Sequence, residues 1–175
     1  MNVMPGFAAA TLVWAAVAGV ADLRTRRIPN TITGAALLSG LAAHVVMTGT
    51  TGLLDAGSGA LWMVGLLLPG WLLGWMGGGD VKLMAGLGAW LGAEAAVVAL
   101  LATLIAGGVM AAGVALRRGT LGRSIVGAAQ LATWMVMGAS GGAVTPVTSE
   151  VRFPFALAAL AGTVVAVLLP GGGQG

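Results

Sequence analysis

Residues 83–116 read LMAGLGAWLGAEAAVVALLATLIAGGVMAAGVAL, with Glu94 as the single charge. A run of this kind belongs in lipid, because it is apolar throughout and lacks the period-2 alternation of barrel strands. Lipid offers the backbone no hydrogen bonds, so helices remain as the way across. Glu94 splits the run into a short helix that begins near Asp80, about 13 residues and about 20 Å at 1.5 Å per residue, and a longer one from Ala95.

The rest of the chain has the same character. Of 175 residues, 58% are hydrophobic and 7% charged, and the mean hydropathy is +1.01. Soluble domains carry roughly 25% charged residues, so an ordinary soluble fold is excluded. Further apolar blocks run over 3–21, 31–47, 59–76 and 153–169. The third contains Pro69 as a kink and, with Gly70, Gly74 and Gly78, a four-residue glycine spacing that lets a neighbouring helix approach. The expectation is an all-α, polytopic membrane helix bundle of six transmembrane helices. It forms a single integral membrane domain over 1–170, with a flexible glycine-rich tail at 171–175. Residues 125–138 read as an interfacial or re-entrant piece, since about 14 residues is short for a span; a seven-span model would thread them across.

Orientation follows from the cations, which collect in short cytoplasmic loops. If the first helix runs outside to inside, Arg24, Arg26, Arg27, Lys82, Arg117, Arg118, Arg123 and Arg152 all fall on the cytoplasmic side, with both termini outside. The first block precedes its arginines, the reverse of the charge order of a cleavable signal peptide. The sequence pI near 11.2 arises from few charges, so it speaks to topology and anionic lipid headgroups rather than nucleic acid.

With no cysteine and a single histidine, neither a thiol nucleophile nor a metal centre is expected, and no cofactor. Carboxylate chemistry survives. Asp55 and Glu94 fall in outside turns and read as solvated loop charges, Asp55 with a second reading near the start of the third helix, and Glu150 as a surface charge beside Arg152. Asp22 and Asp80 differ, because each joins an apolar block to a cytoplasmic turn at the same membrane depth. Two carboxylates close together in a poorly hydrated site share a proton and titrate as a pair. The ionised member can activate water while the protonated one polarises a peptide carbonyl. Asp22 closes a helix and Asp80 opens one, so the helix dipoles alone make Asp80 the base and Asp22 the acid, with Arg24 opposing.

Around Asp80, Gly77 and Gly79 permit unusual backbone angles and close approach of a substrate backbone. Lys82 can reach headgroups or a substrate carboxylate. Asn30 reads as the N-cap of the second helix, His44 as an interfacial or helix-packing residue, and Trp62, Trp75 and Trp90 as an aromatic belt. A non-enzymatic reading, a small transporter or assembly subunit with two aspartates in a helical bundle, fits these residues too.

Gly77-Gly78-Gly79-Asp80 resembles the Gly-x-Gly-Asp motif of intramembrane aspartic proteases, and its continuation Val81-Lys82-Leu83 resembles the type IV prepilin leader peptidases. The segment Asp22-Leu23-Arg24-Thr25-Arg26-Arg27-Ile28-Pro29-Asn30 is similar to the other signature of that family, an aspartate followed by basic residues and Ile-Pro-Asn. The resemblance implies a multi-pass aspartic endopeptidase of the bacterial inner membrane, with Asp22 and Asp80 as its catalytic pair. Its substrate would be a prepilin, cut at the cytoplasmic face between the short basic leader and the hydrophobic helix. Longer relatives insert a cysteine zinc module between their first two spans and methylate the new N-terminus. Here that connection is only 22–30 and cysteine is absent, so the chain resembles the compact members that serve Flp-type, tight-adherence pili, and methylation is not expected. Arg152-Phe153-Pro154-Phe155-Ala156 departs from the Pro-Tyr-Gly-like run of compact relatives. A Gly-x-Gly-Asp protease acting on other membrane substrates is the alternative enzyme.

Overall fold

A computed structural model describes residues 4–25, 27–72, 76–117, 119 and 155–168, and these are helical with no strand. The helices are α1 (Pro5–Thr25), α2 (Asn30–Leu72), α3 (Gly78–Arg117) and α4 (Phe155–Leu168). The first three are long and apolar enough to cross a membrane, and α4, at 14 residues, is shorter. The expected pieces at 125–138 and 171–175, and the charges Arg26, Arg118, Arg123, Glu150 and Arg152, lie outside the described residues.

Proline sets the first two starts. Pro5 stands at the head of α1, where its fixed φ suits a first helical turn and its missing N–H is not needed. The Pro29 carbonyl accepts the N–H groups of Ile32 and Thr33 at the start of α2. Neither α2 nor α3 is straight. Gly49 (φ 68°, ψ −144°) and Gly92 (φ 74°, ψ 175°) leave helical geometry, in a left-handed region that side chains with a Cβ rarely enter. Each long helix therefore consists of two arms, 30–48 and 50–72 in α2, 78–91 and 93–117 in α3.

Contacts give the direction of each arm. Gly40 packs on Ala89 and Trp90, and Gly86 on Ala36 and the Thr33 carbonyl, so the first arms of α2 and α3 run parallel. In the second arm of α2, Gly59 lies against Gly88 and Gly92 while Trp71 lies beside Gly78, which makes it antiparallel to the same partner. The chain has reversed at Gly49. The second arm of α3 pairs Ala99 and Thr103 with Gly162, and Gly107 with Ala158, so α4 runs antiparallel to it. Helix α1 places Phe7 against His44 and Trp90, with ring centroids 4.4 and 5.7 Å away, and it runs opposite to the first arms of α2 and α3.

Small residues make these contacts. A Cβ on Gly59, Gly88 or Gly162 would collide with the facing backbone, the close approach typical of helices packing in lipid, where association depends on van der Waals fit. Met63, Leu83, Met84, Leu87 and Leu100 fill the centre. Large apolar side chains also point outward, among them Leu38, Leu61, Ile105 and Val109. Water would penalise that surface and a bilayer does not. The expected aromatic belt needs one correction: the Trp90 indole N–H donates to the Ala36 carbonyl at 2.9 Å, so this residue braces two arms, while Trp62 is exposed and Trp75 lies outside the described residues.

Candidate active site

One end of the bundle gathers both motifs. Asp22 sits in the last turn of α1 and Asp80 in the first turn of α3, and the opposed directions of these helices bring the two carboxylates to the same level. They are near enough for their charges to interact, and both side chains are half-buried. Ile28, from the first motif, lies alongside Gly79 of the second. Lys82 donates from Nζ to Asn30 Oδ1 at 3.1 Å, a further link between the two segments.

The turn before α3 holds Asp80 in a defined pose. Its own N–H donates to the Gly77 carbonyl at 3.0 Å, and the Gly77 N–H donates to Asp80 Oδ2 at 3.1 Å. The second bond is one half of a capping box, with Gly77 as N-cap and Asp80 at the third helical position; in place of the other half, which needs an N-cap side chain, the Asp80 N–H closes a turn on the Gly77 carbonyl. One carboxylate oxygen is thereby fixed, and Oδ1 makes no hydrogen bond among the described residues. A fixed carboxylate with a second one at the same level supplies the two proton-exchanging groups that general acid–base hydrolysis of an amide uses.

Several expectations change here. Gly77 and Gly79 do not take left-handed backbone angles; Gly77 serves as a donor, and a Cβ there would stand 3.3 Å from Asp80 Oδ2. Asn30 opens α2 as expected, but its side-chain oxygen accepts from Lys82 instead of from a backbone N–H, because the ammonium is the stronger donor within reach. Asp55 is carried on the second arm of α2, at the end of the bundle away from Asp22 and Asp80. There its Oδ1 accepts the Ala93 N–H at 3.1 Å, so it is not an idle loop charge. That arm starts directly after Gly49, earlier than the apolar block alone suggests. His44 is buried at that same end, as a packing residue. Trp71 and Met76, which border the glycine turn, carried no sequence signal. Among the described residues no group of three or more His, Cys, Asp or Glu side chains is gathered that could hold a metal ion.

The family model described as the Type IV leader peptidase family matches residues 9–112, a run that contains Asp22, Asp80 and nearly all of α1 to α3. The chain belongs to that family. Among curated relatives, the prepilin leader peptidase/N-methyltransferase of Aeromonas hydrophila is 37% identical over 132 residues, covering 67% of this chain and 44% of the relative. The chain thus spans less than half the length of the relative it matches. No solved structure matches.

Proposed function

We propose that this chain is a membrane-embedded aspartic endopeptidase that removes the short leader from Flp-type prepilins, with Asp22 and Asp80 as the catalytic pair. The observation that carries the reading is the convergence of the two motif aspartates, from separate helices, at one end of the bundle. In this mechanism the ionised carboxylate takes a proton from water, and the resulting hydroxide adds to the scissile carbonyl. The protonated carboxylate donates to the carbonyl oxygen. Collapse of the tetrahedral intermediate breaks the C–N bond; the proton taken from water goes to the leaving amine, and the proton on the former carbonyl oxygen returns to the second carboxylate as the new carboxyl group forms. Gly77 and Gly79, lacking side chains, let an extended substrate backbone lie close to the pair.

Orientation in this reading comes from the cations. Arg24, Arg27 and Lys82 stand at the aspartate end; Gly19 near the end of α1 meets Leu157 at the start of α4, so the second arm of α3, antiparallel to α4, runs back toward that end to finish at Arg117. The positive-inside tendency makes that end cytoplasmic, in the inner membrane of a bacterium. The two arms each of α2 and α3, with α1 and α4, supply six crossings within one domain over 1–170. The proposal is confined to peptide cleavage and requires no cofactor.

Incubating the purified full chain in lipid nanodiscs with a Flp-type prepilin, and weighing the products, tests it. The expected result is one cut just before the prepilin's hydrophobic helix, absent in Asp22→Asn and Asp80→Asn. An uncut prepilin, or a cut that survives either substitution, overturns the assignment.

A further inference from the structure

The end of the bundle away from the two aspartates holds a second polar site. A cavity of about 280 Å³ opens there, lined chiefly by Phe7, His44, Thr48, Thr51, Asp55 and Leu91. His44 is 5% exposed. Its Nδ1 lies 3.1 Å from the Gly40 carbonyl; since a carbonyl only accepts, Nδ1 carries a proton, and in the neutral ring Nε2 keeps a lone pair. Nε2 makes no hydrogen bond among the described residues, where no fully buried side-chain N or O lacks a partner. It is therefore reached from the cavity.

The other polar side chains that line it are acceptors as well. Asp55 uses Oδ1 for the Ala93 N–H and leaves Oδ2 open. Thr48 and Thr51 donate their hydroxyl protons to the His44 and Thr48 carbonyls, at 2.9 Å each, so only lone pairs remain to face the cavity. The Phe7 ring, tilted by 34° against His44 with centroids 4.4 Å apart, adds aromatic surface, which attracts cations. Among the described residues no Lys or Arg stands at this end to satisfy the set. Only two of the lining groups are strong metal ligands, and no third His, Cys, Asp or Glu joins them.

We propose that this cavity binds the primary ammonium of an aminophospholipid headgroup. An ammonium brings three N–H donors to polar side chains that all accept, and the volume sits just below the range for ligand pockets, which begins at about 300 Å³. The rim assigns the ammonium to a lipid rather than a free amine. Val46 and Leu54, on either side of the Gly49 reversal, are 82% and 74% exposed, with Met47 and Leu53 beside them, an apolar border on which acyl chains can lie.

Native mass spectrometry of the full chain in detergent, titrated with dioleoyl phosphatidylethanolamine, phosphatidylcholine or phosphatidylglycerol, tests this. Phosphatidylethanolamine is expected to be held about tenfold more tightly than phosphatidylcholine, the scale of a lost charge-assisted hydrogen bond. Asp55→Asn keeps an oxygen for the Ala93 N–H, so its melting temperature is expected to hold while the preference disappears. His44→Phe keeps a ring against Phe7 and removes Nε2, and it too is expected to reduce the preference, so the test survives poor folding of either variant. Equal retention of the two zwitterionic lipids, tighter binding of phosphatidylglycerol, or a preference that persists in both variants overturns the proposal. Displacement of bound lipid by an equal concentration of free ethanolamine overturns its lipid component.

Discussion

The Lys82 ammonium donates to the Asn30 side-chain oxygen at 3.1 Å, a bond between residues that belong to different motifs and different helices. It ties the start of α2 to the start of α3 within one turn of Asp80. Both side chains are exposed, so water competes for each partner. A double-mutant cycle with Asn30→Ala and Lys82→Met is expected to give a coupling of about 0.5–1 kcal/mol in detergent unfolding. A coupling near zero would show that the bond leaves no mark on stability.

Asp22→Asn and Asp80→Asn remove the ability to exchange a proton while keeping shape. Under the proposed mechanism each lowers the prepilin cleavage rate by at least about 10²-fold, the lower range for a general acid or base. Membrane insertion and melting temperature are expected to stay near those of the parent chain.

Gly77→Pro deletes the N–H that holds Asp80 Oδ2, whereas Gly77→Ala keeps it and adds a methyl 3.3 Å from that oxygen. The proline variant is expected to lose roughly tenfold in kcat with little change in KM, as one hydrogen bond to a charged group is lost. The alanine variant is expected to lose less. Equal losses would argue that the donor is irrelevant and only the crowding matters.

Gly92→Ala places a Cβ at a residue with φ 74° and against the Asp55 carboxylate. The backbone cost alone is about 1–2 kcal/mol, and the collision adds to it. Gly57, mid-helix in open space, gives the contrast: Gly57→Ala is expected to be neutral or stabilising by up to about 1 kcal/mol. Thermal unfolding of the two variants side by side reads the difference directly.

Much of this was legible in the residues. Apolar blocks and sparse charge announce membrane helices, and Glu94 marks the region where α3 breaks, two residues from Gly92. The two aspartates could be paired from sequence because charge at a membrane helix end is costly and both fall at the same depth. Other features were not legible. Gly49 is one glycine among 31, and nothing local distinguishes it as the point of reversal, so the apolar pattern alone starts the second arm of α2 too late and leaves Asp55 at a turn. Its bond to Ala93 spans 38 residues, and such pairing depends on helix directions that only the packed bundle supplies. Asn30 is a similar case, since capping is a local rule and the competing ammonium comes from another helix.

The single-glycine reversals at Gly49 and Gly92 bear on how the molecule presents itself to water. Where the two arms of α2 meet, and again where those of α3 meet, the chain turns without a loop, so almost no extended backbone projects at either point. In the proposed six-crossing arrangement, a protease added to the side of a sealed vesicle where these turns lie finds little to grip, and an epitope tag inserted at either one would have to break a helix to be seen.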